Sequence, residues 1–125
     1  MSEYEEKKAA FRKRTKAYAS AVVRAYCELP KRTECQVLGK QLIRSGTSVA
    51  ANYREASRAR SDAEFVSKID VCAQEADESL LWIELLVEDC HIESENLRWL
   101  LVESDELIAI FTTMSRNVKR RIEGE

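Results

Sequence analysis

Three times along this chain a Ser or Thr stands three residues ahead of a Glu or Gln: Ser2 before Glu5, Thr33 before Gln36, and Ser61 before Glu64. At that spacing the hydroxyl accepts from the backbone N–H three residues on, while the longer side chain reaches back to the first residue's own N–H. Both orphan donors of a helix start are then satisfied. Ser94 offers a fourth start, with Glu95 placing negative charge in the first turn. Between these starts the chain has almost nothing to break a helix, with Gly 3 and Pro 1 in 125 residues. Pro30 closes the first segment, because the residue before a proline is pushed out of the helical region. The sequence thus predicts helices over about 3–29, 34–59, 62–89 and 95–122. Connections this short force antiparallel neighbours, so the expected fold is all-α: a single-domain, up-down-up-down four-helix bundle over residues 1–125.

Periodicity names the inward faces. Tyr4, Phe11, Thr15, Tyr18, Val22, Ala25 and Leu29 make one stripe in the first segment, and Leu97, Leu101, Ser104, Ile108, Phe111, Ser115, Val118 and Ile122 make one in the last. The third segment has the cleanest seam: Phe65, Ile69, Cys72, Ala76, Ser79, Ile83, Leu86 and Cys90. Beside it runs a second apolar row, Val66, Ala73, Leu80 and Val87, and Leu81, Trp82 and Leu85 add more apolar surface. That exceeds what one bundle core needs and points to a subunit interface.

The second segment carries two stripes side by side. Leu38, Leu42, Ser45, Val49, Asn52 and Ala56 form a heptad-like seam, while Lys40, Arg44, Thr47, Ala51, Arg54 and Arg58 put four cations on an adjoining side. Its middle, SGTSVAA, is nearly free of bulk, and Gly46 costs about 1 kcal/mol of helix propensity relative to Ala. Close packing with a neighbour would offset that cost. Asn52 on the seam is expected to fix register in a helix–helix contact, since a buried amide needs partners. Glu75 and Glu78 of the third helix are expected to meet Arg44 and Arg54 across the antiparallel pair, giving a structural polar network.

Charge is divided unevenly. Residues 1–60 hold 14 Lys and Arg against 6 Asp and Glu, and residues 61–125 hold 6 against 16, so the halves carry +8 and −10. Such polarity suits either helices that complement one another or a basic surface for an anionic partner. The candidate surface comprises Arg12, Lys13 and Lys16 of the first helix, Lys40, Arg44, Arg54 and Arg58 of the second, and Arg60 just beyond it, with the Arg116–Arg121 tail further off. Neutralising phosphates with clustered cations releases counterions, which would give affinity for RNA or DNA that reads charge and shape rather than sequence. An acidic total and the lack of a groove-reading or base-stacking motif weigh against it.

Catalytic chemistry finds little to work with. His91 is the only histidine and falls in a connection, which leaves no Ser-His-Asp or Glu-x-x-His pattern. Cys27, Cys35, Cys72 and Cys90 lie at no metal-ligand spacing and read as buried, reduced thiols. The acidic run Glu75, Asp77, Glu78 and Glu84 reads as an ion-paired or solvated face. No phosphate-cradling glycine loop is present. The expectation is a non-enzyme without cofactor, metal or small-molecule substrate. The charged start MSEYEEKKAAFRKR and the absence of an apolar run of roughly 18 residues predict a cytoplasmic protein with no membrane partner.

Leu29-Pro30-Lys31 and the stretch from Leu38 to Leu86, above all RSGTSVAANYREA, ARS-x-x-EF and EAD-E-S-x-x-W-x-ELL, closely resemble the 23S rRNA intervening-sequence family of four-helix-bundle proteins. The resemblance covers about half the chain. Gln74-Glu75-Ala76, Ser79 and Leu81 depart from it, where relatives tend to carry Lys-Glu-Ala, Thr and Tyr. It implies a ring, a homopentamer with a central channel, and a non-catalytic scaffold. A similar bundle is the accessory variability determinant of diversity-generating retroelements, which binds reverse transcriptase and nucleic acid. By that likeness the partner would be RNA, DNA or a reverse-transcriptase-like enzyme, and the basic stripe would become a continuous positive collar.

Overall fold

The computed structural model describes residues 1–124 and forms four helices among them: α1 Glu3–Cys27, α2 Thr33–Ser57, α3 Asp62–Glu88 and α4 Glu95–Ile122. At 1.5 Å per residue each is about 40 Å long. Each helix packs against two neighbours and none across the diagonal, a square bundle in which the α1–α4 seam is the loosest side.

Three of the four starts are capped as expected. Ser2 Oγ accepts from Glu5 N at 3.1 Å, Ser61 Oγ from Glu64 N at 3.1 Å, and Ser94 Oγ from Leu97 N at 3.2 Å. The box at Thr33 does not form. Thr33 is the first helical residue, Arg32 is the cap, and no side chain caps that end. Gln36 is drawn elsewhere: its Nε2 donates to the Pro30 carbonyl at 2.9 Å, and its Oε1 accepts from the Tyr26 hydroxyl at 3.0 Å. A tertiary contact outcompetes the local box.

Three helix ends fall short of the predicted bounds. α1 stops at Cys27, and Leu29 N–H then donates to Tyr26 O at 3.1 Å, a tighter turn that folds the buried Leu29 back onto α2. α2 stops at Ser57, where Arg58 and Ala59 likewise bond three residues back. α3 ends one residue early, at Glu88, and the bounds of α4 match. After α3, His91 adopts φ 57°, and Ile92 N–H closes over it onto the Leu86 carbonyl at 3.1 Å.

The slim middle of α2 is wedged as its composition demands. A Cβ placed on Gly46 would lie 2.7 Å from Val22 Cγ2, so α1 occupies the space a larger residue would need. At Gly39 the same atom would meet Leu29 Cδ1 at 2.5 Å, a clash with the chain leaving α1.

Halfway along the bundle the apolar core is interrupted by a layer with one polar residue from each helix. Tyr18, Ser45, Ser79 and Ser104 are all fully buried. The Tyr18 hydroxyl and Ser104 Oγ are 2.6 Å apart, and Ser45 Oγ and Ser79 Oγ 2.7 Å. Because Ser79 gives its proton to the Glu75 carbonyl at 2.8 Å, Ser45 is the donor to Ser79. Burial pushes the Tyr18 phenol up, with the Ser104 hydrogen bond opposing.

Above this layer sits an aromatic cluster in which Phe11 meets Tyr53 edge-on at 4.7 Å and Phe111 at 5.7 Å. Cys35, Cys72 and Cys90 are buried free thiols, whereas Cys27 is exposed, contrary to a uniformly buried set. Burial pushes the Cys72 thiol up to about 12. Among the described residues no helix is long and apolar enough to cross a membrane.

Candidate nucleic-acid interface

The α2 cation stripe does not stay together. At the 100° per residue of an α-helix, Arg44 and Arg54 are about 80° apart around α2, at opposite edges of the row. Arg44 turns toward α3, where its Nη1 lies 3.3 Å from Glu75 Oε2 and its Nη2 bonds Glu78 Oε1. Half of the expected network is therefore present. Arg54 takes no part in it, since ten residues along α2 carry it about 15 Å beyond Glu75 and Glu78. Nor does Asn52 join helices: its Nδ2 donates to the carbonyl and Oγ of Ser48, both at 2.9 Å and both one turn back on its own helix. Local side-chain bonding of this kind satisfies an amide without any neighbour.

Arg54 and Arg58 turn instead toward α1. There they line a groove of about 640 Å³ with Arg12, Lys13 and Lys16, whose floor is Ala9 and Ala10. The elements dictate this meeting, because α1 and α2 are antiparallel and the start of one lies against the end of the other. The small alanines keep the surface concave, and among the described residues no carboxylate lines it. Among the described residues none of these five cations enters an ion pair, in contrast to Lys7, Lys8, Arg14, Arg44 and Arg121. Lys40 is exposed away from the groove, and Arg60 lines a different cleft. Five of the eight candidate cations are thus brought together and three are not.

One first-helix cation serves the fold. Arg14 faces α4 and grips Glu103 with Nε to Oε2 and Nη2 to Oε1, both 2.8 Å, while Glu106 lies 3.7 Å away. Glu103 is buried. Nothing in the local pattern marks a pair 89 residues apart.

Among the described residues no group of His, Cys, Asp and Glu side chains is placed to hold a metal ion. Asp70 accepts from Ser115 Oγ at 2.6 Å and pairs with Lys119 at 3.3 Å, which ties α3 to the last turns of α4.

Comparison with known proteins gives a consistent picture. None of the curated proteins matches the chain. A solved structure of a protein with unknown function from the S23 ribosomal protein family of Bacteroides thetaiotaomicron is similar, with a TM-score of 0.75 and 32% identity. The match covers 83% of this chain and 96% of that one. The family model described as 23S rRNA-intervening sequence protein matches residues 7–113. A match of that extent, together with the four-helix fold, places the chain in the 23S rRNA-intervening sequence protein family.

Proposed function

We propose that this protein is a non-catalytic helical adaptor that assembles with copies of itself and holds the phosphate backbone of structured RNA in the α1/α2 groove. The observation that carries this reading is the convergence of Arg12, Lys13, Lys16, Arg54 and Arg58 on one concave surface without a lining carboxylate. Like charges gathered so closely repel one another, and a polyanion relieves that repulsion while releasing its own counterions. No aromatic side chain lines the groove, which favours backbone contacts over base stacking. DNA, or a nucleic-acid enzyme such as a reverse transcriptase, would meet the same charge. Self-association, with a homopentameric ring as the favoured form, is supported by apolar side chains left on the outer surface, among them Leu81, Trp99 and Val102.

Titration against a structured RNA hairpin from about 50 to about 200 mM salt should show log affinity falling with log salt by about 0.9 per phosphate neutralised. Replacing Arg12, Lys13 and Arg54 together by Gln should flatten that slope by about one for each cation removed from a phosphate. Absence of binding at low salt would sink the reading.

A second reading is a protein–protein module in which basic and acidic helices pair across subunits. It draws support from Asp77, Glu84 and Asp105, which enter no ion pair among the described residues and belong to the acidic half. Under it, salt lowers the mass of the assembly measured by light scattering, and RNA leaves that mass unchanged.

A further inference from the structure

A second and larger cleft lies beside the basic groove, at the end of the bundle where α1 begins and α4 finishes. The direct hydrogen bonds and ion pairs between α1 and α4 stop at Arg14. Beyond it a cleft of about 800 Å³ opens, lined by Phe11, Tyr53, Phe65 and Met114 with Lys8 and Arg60 among its cations. Its only lining carboxylate among the described residues, Asp62, is already engaged by Arg121 at 3.1 Å. The Arg60 guanidinium enters no ion pair among the described residues.

Tyr53 gives the cleft a polar focus. The residue is only 3% exposed, and its ring is locked edge-on against Phe11. Yet its hydroxyl makes no hydrogen bond to any described residue and is not sealed from solvent, and the residue lines the cleft. A phenol held this rigidly, with no protein acceptor, is poised to donate to a ligand. Burial pushes its pKa up, with Arg12 opposing, so at neutral pH the donor proton is in place.

We propose that this cleft binds a small amphipathic organic anion, a carboxylate on a flat aromatic body. The aromatic body lies against Phe11, Phe65 and the Met114 thioether, surfaces that favour ring contacts. The carboxylate accepts from the Tyr53 hydroxyl and is drawn by Arg60, whereas Lys8 is held by Glu5 at 3.7 Å. The volume suits a drug-sized molecule, and Arg60, which has no ion-pair partner among the described residues while Lys7, Lys8, Arg14 and Arg121 do, selects an anion over a neutral analogue. This site adjoins the α1/α2 groove at Ala10 but engages Tyr53 and Arg60, which do not line that groove, so either assignment can fail without the other.

Isothermal titration of the full chain with naphthoate and with neutral naphthamide tests it. Naphthoate should bind about tenfold more tightly than the amide. Tyr53→Phe, which keeps the ring and removes only the hydroxyl, should weaken naphthoate about tenfold, since hydrogen bonds to charged groups are the stronger kind. Arg60→Gln, in the exposed α2–α3 connection, should shrink the preference for acid over amide, while Arg54→Gln in the basic groove should leave it unchanged. Equal binding of acid and amide, or an undiminished affinity in Tyr53→Phe, overturns the proposal, as does no heat of binding at millimolar ligand. Affinity that weakens as protein concentration rises also overturns it, because a second copy of the chain then covers the cleft.

Discussion

Arg14 of α1 holds Glu103 of α4 through two parallel hydrogen bonds of 2.8 Å, and the carboxylate is the more buried partner, with 8% of its side chain exposed against 36% for the guanidinium. The two ends of this pair are therefore unequal. Freed of Glu103, Arg14 reaches water; freed of Arg14, Glu103 remains a buried charge. Arg14→Met should cost about 2 kcal/mol, below the range for a fully buried pair because solvent reaches one end. Glu103→Leu should cost less, and the double variant should recover most of the loss. Urea denaturation of the three variants reads the difference, and equal losses from both single changes would contradict it.

Helix propensity and packing oppose each other at Gly46. Ala is the better helix former by about 1 kcal/mol, yet its Cβ would sit 2.7 Å from Val22 Cγ2. Overpacking of this sort costs roughly 1–3 kcal/mol, so Gly46→Ala should be destabilising on balance. Adding Val22→Ala opens the space and should reverse much of the effect. A thermal melt of the double variant below that of Gly46→Ala alone would show that Val22 is not the obstacle.

Alkali should unfold the protein through its buried acids. Burial raises the Cys72 thiol to about 12 and raises Tyr18 and Tyr53 above their ordinary value of 10.0. A folded-state value above the unfolded one means that the native state holds the proton longer. The associated stability is complete below the unfolded value and is lost as pH climbs through the folded one. For Cys72 the window runs from its ordinary value of 9.0 to about 12. Circular dichroism between those limits should show Cys72→Ala with a shallower loss of stability than the parent chain.

His91 is the sole described non-glycine residue with positive φ, at 57°. The left-handed region costs an ordinary L-residue about 1–2 kcal/mol and costs Gly almost nothing. His91→Gly should therefore raise the melting temperature, offset in part by greater freedom of the unfolded chain. A lower melting temperature would mean that the imidazole makes a contact worth more than the strain.

The parts of this fold legible in the sequence were those governed by neighbours within one turn. Ser2, Ser61 and Ser94 cap because a hydroxyl and an N–H three residues on meet in any helix start. Thr33 failed for the complementary reason, since Gln36 was claimed by Tyr26 and Pro30 across a loop. Asn52 erred the other way, a residue read as long-range that is satisfied by Ser48. In the candidate site, spacing placed Arg54 and Arg58 on one face, but only the antiparallel docking of α1 brought Arg12, Lys13 and Lys16 beside them. Arg44 stays out of the groove because a stripe drawn at heptad spacing spreads around a helix turning by 100° per residue. Tyr18 and Ser104, 86 residues apart, carried no local sign of their pairing.

The buried hydroxyl layer limits which alternative assemblies the chain can reach. Displacing α1 or α4 lengthwise by a single turn would part Tyr18 from Ser104, and displacing α2 or α3 would part Ser45 from Ser79, so a slip of any one helix is disfavoured. Exchange of a whole helix between two copies restores identical partners and meets no such obstacle. Intertwined oligomers, not misregistered monomers, are the error this interior leaves open.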